Sequence, residues 1–333
     1  MDPISQGTLG GALAQTIANR KNFAKITLIG CLAGMAPDLD VLIQSNEDPI
    51  LFLEFHRQFT HSLIFIPIGA LIVASALFLF VKKTLAFNVV YLAALLGYAT
   101  HALLDACTSY GTLLFWPFSN VRIAWNNVSV VDPLFTVPAL ILVICAISSK
   151  KRLYTSLALT WCFLYLMLGF IQHERTYRAA LEIANERQHS PQRLTLKPSF
   201  GNLILWKAVY EHEGRYHVDA IRTLRTTTWC SGESIEVFDY EKHLPTLDKN
   251  SQQGIDIERF RWFSQDYLGY DYQSQLVADI RYSMIPSQIK PMWGLRINPV
   301  KKQREHAVWI ASRNLEDEQL SLFKDMLTGK HCG

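Results

Sequence analysis

Residues 56–62 read HRQFTHS, and residues 63–81, LIFIPIGALIVASALFLFV, carry no charged side chain. Nineteen apolar residues approach the ~20 that an α-helix needs to cross a bilayer. The polar heptapeptide therefore stands at the mouth of a membrane span. Two histidines, an arginine, a threonine and a serine at such a boundary point to a metal site at a membrane face.

Three further stretches, 85–104, 128–147 and 153–171, have comparable length and apolarity. The third of the four runs contains Asp132, Pro133 and Pro138, so its span is expected to start near Leu134 and to be short. An earlier run, 26–36, is only eleven residues long and suits a re-entrant or interfacial helix. Gly7, Gly10, Gly11, Gly30 and Gly34 favour close packing of these first helices. Charge divides the 333-residue chain: residues 1–173 hold ten Lys/Arg and eight Asp/Glu, residues 174–333 twenty-two and twenty-one. The expected fold is an all-α polytopic membrane bundle over 1–173, with about four spans plus short N-terminal helices. A soluble α+β domain is expected over 174–333. There HERTYRAALEIANERQ reads as a charged amphipathic helix leaving the membrane. LILWKAVYEH and RYHVDAIR flank a hairpin turn at Glu213-Gly214. VADIRYSMI and HAVWIASR read as strands, and LEDEQLSLFKDML as a closing helix.

Lys82-Lys83 and Lys150-Lys151-Arg152 join successive spans and are expected on the cytoplasmic side. HRQFTHS, the loop 105–132 and the C-terminal domain then fall on the extracytoplasmic face. The net charge of +3, without a basic patch interleaved with aromatics, gives no sign of a nucleic-acid partner. The expected partner is the lipid bilayer. The N-terminus lacks the basic start and apolar core of a cleaved signal. Six cysteines show no CxxC pair; Cys145 and Cys162 lie in apolar runs, and Cys230 and Cys332 could pair in an oxidising compartment.

Three clusters carry potential chemistry. Asp38 and Asp40 lie in PDLD, straight after the short apolar run. His56, Arg57 and His61 lie in the heptapeptide, with Thr60 and Ser62 as candidates to orient ligands or to cap the span. His101 and Asp105 stand four residues apart, on one helical face, at the far end of the second span. Spans one and two are joined by only Lys82-Lys83-Thr84, so His61 must return beside His101 and Asp105. Asp38, Asp40, His56, His61, His101 and Asp105 are the candidate metal ligands. Imidazoles and carboxylates without thiolates suit zinc first, then manganese or iron. His56 and His61 are five apart, so an unbroken helix would not aim both at one point. Arg57 reads equally as an anion-binding catalytic group and as a headgroup anchor. Asn126, Asn127 and Asp132 are candidates to complete the pocket, and Phe115, Trp116 and Phe118 to form an interfacial belt.

At these residues the chain resembles a known family. MDPISQGTLGGAL, GMAPDLD, FHRQFTHS, GYATHALLDACTSYGTLLFWPF and VSVVDPLFTVP follow the order seen in membrane-bound, metal-dependent hydrolase-like proteins of the bacterial inner membrane, some of them LexA-regulated. The likeness covers about residues 1–145, and ADIRYSMIP resembles the C-terminal extension of longer members. The resemblance implies a multi-pass inner-membrane protein with a hydrolase-like divalent metal centre at Asp38, Asp40, His56, His61, His101 and Asp105. Many relatives have HRG where this chain has Gln58, and some have a histidine near Gln6. The larger grouping cleaves phosphoesters with zinc held by His and Asp. The expected activity is therefore attack of metal-activated water on an ester, best a phosphoester of a lipid or envelope molecule. Asp38 or Asp105 would take the proton, and Arg57 would balance substrate charge. A structural metal site, or transport of a metal or small solute, is the competing expectation.

Overall fold

Asp2 begins the first helix: its carboxylate accepts from the Ile4 and Ser5 amides at 3.1 and 3.0 Å, with Pro3 in the first helical position. The structure is a computed structural model that describes residues 1–298, 303–312 and 317–330. The described chain divides into two units. One comprises residues 1–43, 55–171 and 200–202, and the other 44–54, 172–199 and 203–333.

The first unit is helical. It contains α1 (Pro3–Gln15) and α2 (Phe23–Met35), followed by a 3₁₀ turn, Ala36–Leu42. A one-turn helix, α3 (Leu51–Phe55), whose residues 51–54 belong to the other unit, precedes the heptapeptide. Then come α4 (Ile66–Val81), α5 (Phe87–Cys107) and α6 (Pro133–Ser149). The helix α7 (Arg152–Glu186) begins in this unit and continues without interruption into the next. Expected span and expected amphipathic helix are thus one element, because Arg152–Glu186 contains no proline and a single glycine, Gly169.

Among the described residues, three segments are long and apolar enough to cross a membrane: Leu63–Val81, Phe87–Cys107 and Arg152–Glu186. The expected fourth, α6, has 17 residues, about 25 Å of helix against a hydrocarbon core of about 30 Å. Its ends are fixed chemically. Asp132 caps the start, accepting from Leu134 and Phe135, and Lys150 adopts φ 54° at the end. The expected re-entrant stretch is the 13-residue α2, too short to span, whereas the 17 residues of α6 stand at the short end of the spanning range.

Glycines bring α1, α2 and α5 into backbone contact. A Cβ on Gly97 would stand 2.3 Å from the Gly30 carbonyl oxygen, and one on Gly10 would stand 2.6 Å from the same atom. Polar side chains tie other helices: Gln15, fully buried, donates to the Val143 carbonyl at 3.2 Å and accepts from Thr155 at 2.8 Å.

The second unit holds two four-stranded antiparallel sheets, each a meander. The first runs β1 (Arg193–Pro198), β2 (Leu205–His212), β3 (Arg215–Thr223) and β4 (Thr227–Glu236). After α8 (Tyr240–His243) and α9 (Gln252–Phe263) come β5 (Leu268–Asp271), β6 (Leu276–Asp279), β7 (Trp293–Arg296) and β8 (Val308–Ala311). The expected hairpin is present: His212 pairs with Arg215, and Glu213 and Gly214 take φ 48° and 70°, the two positive values of a type I′ turn. VADIRYSMI forms a strand only as far as Asp279, and HAVWIASR only over β8. The closing helix is α10 (Asp317–Thr328), with Met326 buried against Leu205 and Ile285. Val209, Tyr216 and Val218 of the first sheet share a core with Leu276, Ala278 and Ile280. Within that interior Lys207 donates to Ser283 Oγ at 2.6 Å and to the Gln288 carbonyl at 2.7 Å, pinning the 283–288 segment. The expected Cys230–Cys332 pairing involves Cys332, outside the described residues; Cys145 and Cys162 are free thiols.

Candidate metal centre

Three local structures converge in the first unit. The 3₁₀ turn behind Pro37 presents Asp38 and Asp40. The heptapeptide breaks helix at Arg57, whose φ is 65°, and re-forms a 3₁₀ turn over Phe59–His61. That break lets His56 and His61 turn toward the same carboxylate despite their spacing. His56 Nδ1 is 2.7 Å from Asp40 Oδ1, and His61 Nδ1 is 3.2 Å from Asp40 Oδ2. The last turn of α5 contributes His101 and Asp105. Both are fully buried, as is His61.

The donor atoms meet closely. His61 Nε2 and His101 Nε2 are 2.8 Å apart. Asp38 Oδ1 lies 3.5 and 3.4 Å from these two nitrogens, and Asp105 Oδ2 lies 3.3 and 3.8 Å from them. A tetrahedral site with bonds of about 2.0–2.1 Å has edges of about 3.3 Å, a value these five distances bracket. His56, Asp38 and Asp40 form an adjoining group, also with ligand atoms within 4.8 Å of one another.

Outer hydrogen bonds fix the ring nitrogens. His101 Nδ1 is 2.6 Å from the Gly34 carbonyl, which can only accept, so Nδ1 carries the proton and Nε2 presents its lone pair inward. Thr60 Oγ1 donates to Asp40 Oδ2 at 2.7 Å and lies 2.9 Å from His61 Nδ1, which assigns His61 the same tautomer. Two lone pairs and two carboxylate oxygens then face one another. Asp105 Oδ2 is buried and accepts no well-angled hydrogen bond among the described residues, although Arg57 Nε stands 3.0 Å away. Such a set needs a cation at its centre. Without a metal that cation is a proton: burial opposes charge on His61, but hydrogen bonding to Asp105, Asp38 and Asp40 outweighs it and pushes its pKa up to about 10. Burial likewise works against ionised Asp38 and Asp40. The His101 and His61 rings beside Asp38, and hydrogen bonds from His56 and His61 to Asp40, prevail and hold both below the usual carboxylate range.

Arg57 is 3% exposed. Besides Asp105, its guanidinium reaches Thr108 Oγ1 at 3.1 Å and lies over the Tyr110 ring. It is thus directed inward rather than toward a headgroup. Its amide donates to Asp40 Oδ2 at 2.9 Å. Ser62 folds back on the Phe59 carbonyl and serves the local turn. Asp132 is in neither ligand group, and Asn126 donates to the Ala124 carbonyl at 3.1 Å. Asn127 donates to the Leu166 carbonyl, and Asp132 caps α6 while taking the Tyr165 hydroxyl at 2.9 Å. Phe115 and Phe118 are exposed, 51% and 82%. Two further contacts reach Asp105. Gln6, fully buried, donates to Asp105 Oδ1 at 2.8 Å, and the Met1 amine bonds the same oxygen. The resemblance marks the first of these positions, where some relatives have a histidine.

The site and helices define a helical membrane protein with a buried imidazole–carboxylate cluster able to hold a metal ion. More particularly, the chain belongs to the YdjM inner membrane protein family, whose profile matches residues 1–176. An uncharacterized protein, YfhP of Bacillus subtilis (strain 168), is 30% identical over 128 residues, which are 38% of this chain and 38% of that relative. The chain thus matches well under half of that relative's length. No solved structure matches.

Proposed function

We propose that this protein is a multi-pass inner-membrane hydrolase that uses a divalent metal, zinc before manganese or iron, to cleave an ester, best a phosphoester of a lipid or envelope molecule. The observation that carries this reading is the inward convergence of the Nε2 lone pairs of His61 and His101 with Asp38 Oδ1 and Asp105 Oδ2. A divalent ion held there supplies Lewis acidity toward an ester oxygen and acidifies water.

The chain's own residues divide the remaining work. Asp38 has 22% of its side chain exposed and His56 32%, so both stand at the open edge of the cluster. Asp38 is therefore the better placed carboxylate to take a proton from an incoming nucleophile. Asp105 has Oδ1 committed to Gln6, which leaves Oδ2 for the cation. Arg57 offsets the charge of Asp105 from within. Asp40 orients His56 and His61. Loop charges support four crossings, α6 included, with Lys82-Lys83 and Lys150–Arg152 in the cytoplasm and the C-terminal unit outside.

Complete burial of His61, His101 and Asp105 favours a second reading, in which the metal only ties α5 to the start of the Leu63–Val81 segment. One experiment separates the two. Purified protein loaded with zinc, manganese or iron is assayed against lipid phosphoesters, alongside His61→Ala and His101→Ala. Metal-dependent turnover lost in both variants supports the hydrolase. Metal retention in the wild type with no turnover on any ester supports the structural role.

A further inference from the structure

Charge over residues 1–173 is sorted by helix end. Eight of the ten Lys/Arg lie in or beside three turns. Arg20, Lys21 and Lys25 surround the α1–α2 turn, Lys82 and Lys83 follow α4, and Lys150, Lys151 and Arg152 stand where α6 gives way to α7. None of the eight Asp/Glu falls there. Asp2 precedes α1, Asp132 precedes α6, Asp105 ends α5, and the other five lie between α2 and α4. Hydrogen bonds gather the three basic turns: Lys25 Nζ donates to Thr84 Oγ1 at 2.9 Å, and Arg152 to the Ala18 carbonyl at 3.1 Å.

A cavity of about 490 Å³ opens between the first and third of these turns. Arg20, Lys150, Lys151 and Arg152 line it together with Phe23 and Leu153. All four cations are exposed, so the mouth meets solution. Asn19 folds the α1–α2 side of the wall, its Oδ1 accepting from the Lys21 and Asn22 amides at 3.0 and 3.1 Å.

We propose that this cavity binds the headgroup of an anionic phospholipid, with an acyl chain laid along Leu153 and Leu157. Four cations with no carboxylate in the adjoining turns attract an anion. Two arginines offer planar forks that match phosphate oxygens, and two lysines add point charge. Lys151, Arg152 and Leu153 stand at the start of the 35-residue α7, whose dipole brings further positive potential to the cavity. The apolar part of the wall decides between a lipid and a soluble phosphate. Leu153 is 62% exposed, and Leu157, one turn further on the same face, 44%. Both belong to a segment apolar and long enough to cross the membrane, so this strip runs from the cavity into hydrocarbon. A phospholipid covers it, whereas a soluble anion does not. His101 and Asp105 lie in the last turn of α5, at the opposite helix ends, so this site is separate from the candidate metal centre.

The test uses the full chain in mild detergent. Phosphatidylglycerol and phosphatidylcholine with identical acyl chains are titrated, and bound lipid is counted by native mass spectrometry. Arg20→Gln/Lys151→Gln removes two charges from the cavity. Lys82→Gln/Lys83→Gln removes two from the same end of the bundle but outside the lining. All four side chains are exposed, so both double variants should unfold at the wild-type temperature. The expected result is preferential binding of phosphatidylglycerol to the wild type, weakened about thirtyfold in the cavity variant. The charge-matched control should lose less than about threefold, because its lysines are screened from the cavity by salt. Inorganic phosphate in about hundredfold excess should not displace the lipid, since it lacks the chain that the apolar strip holds. Equal loss in the two double variants would reduce the effect to diffuse charge and overturn the site. Equal binding of the two lipids, or displacement by inorganic phosphate, would overturn the lipid assignment.

Discussion

His61 Nε2 faces His101 Nε2 at 2.8 Å, with the two rings inclined at 71° and forty residues of chain between them. Neither nitrogen has another role, because each ring's Nδ1 is already engaged, with Gly34 in one case and with Thr60 and Asp40 in the other. Removing either ring should therefore remove the metal. His61→Ala or His101→Ala is expected to purify without it. Asp40→Asn, which touches only the outer hydrogen bonds, should weaken retention by about 10–100-fold without abolishing it. Metal content after dialysis against graded chelator checks the order. Equal loss in all three variants would make Asp40 a direct ligand.

The same site depends on a contact with no side chain in it. Gly97 packs on Gly30, and four residues further along each helix His101 meets the Gly34 carbonyl. Gly97→Ala puts a Cβ 2.3 Å from the Gly30 oxygen, both of them backbone-fixed. Separation of α2 from α5 is expected to cost about 1–3 kcal/mol and to pull Gly34 away from His101. Thermal unfolding in detergent and metal content should fall together. Gly214→Ala, where a Cβ meets nothing within 4 Å, should lower stability through its positive φ and leave the metal untouched.

The helical hairpin was legible because Lys82-Lys83-Thr84 is too short and too charged to do anything but turn the chain back at one membrane face. That alone places His61 beside His101 and Asp105. The i, i+4 spacing of the latter pair also read directly. What aimed His56 and His61 at one carboxylate was hidden, since an arginine at φ 65° has no signature in sequence. The Gly34 carbonyl is equally silent, being backbone. In the second unit Glu213-Gly214 declared its turn, whereas the four-residue strands from Leu268 to Ala311 alternate too briefly to show a period. Asp132 was open for a plain reason: a carboxylate before a proline can complete a pocket or cap a helix, and here it caps α6.

That last distinction is measurable. Asp132 caps α6 and takes the Tyr165 hydroxyl. Asp132→Ala should destabilise the first unit by about 1–2 kcal/mol with metal content unchanged, and Tyr165→Phe should do less. Loss of metal from Asp132→Ala in protein that unfolds at the wild-type temperature would return Asp132 to the site.

Sidedness rests on Lys82-Lys83 and Lys150–Arg152 and can be read with reporter fusions. A phosphatase joined after Leu203 should be active, and one joined within Lys150–Arg152 inactive. The reverse pattern would place the C-terminal unit in the cytoplasm and leave the metal cluster as described.

His189 and His217, with ring centres 4.5 Å apart in the second unit, predict how it responds to acid. Burial, then His189 and Arg187, push the His217 pKa down to about 4 in the folded chain against 6.5 for an unperturbed histidine, and His189 moves the same way. A histidine lowered on folding binds fewer protons folded than unfolded between those values. Its contribution is thus constant above about pH 6.5 and declines as pH falls toward 4. Denaturant midpoints measured in the presence of chelator should therefore drop across that window. Every carboxylate titrates alike in His217→Asn, so the difference between the two proteins isolates this group. The variant should have the shallower slope, and parallel curves would show that His217 titrates normally in the fold.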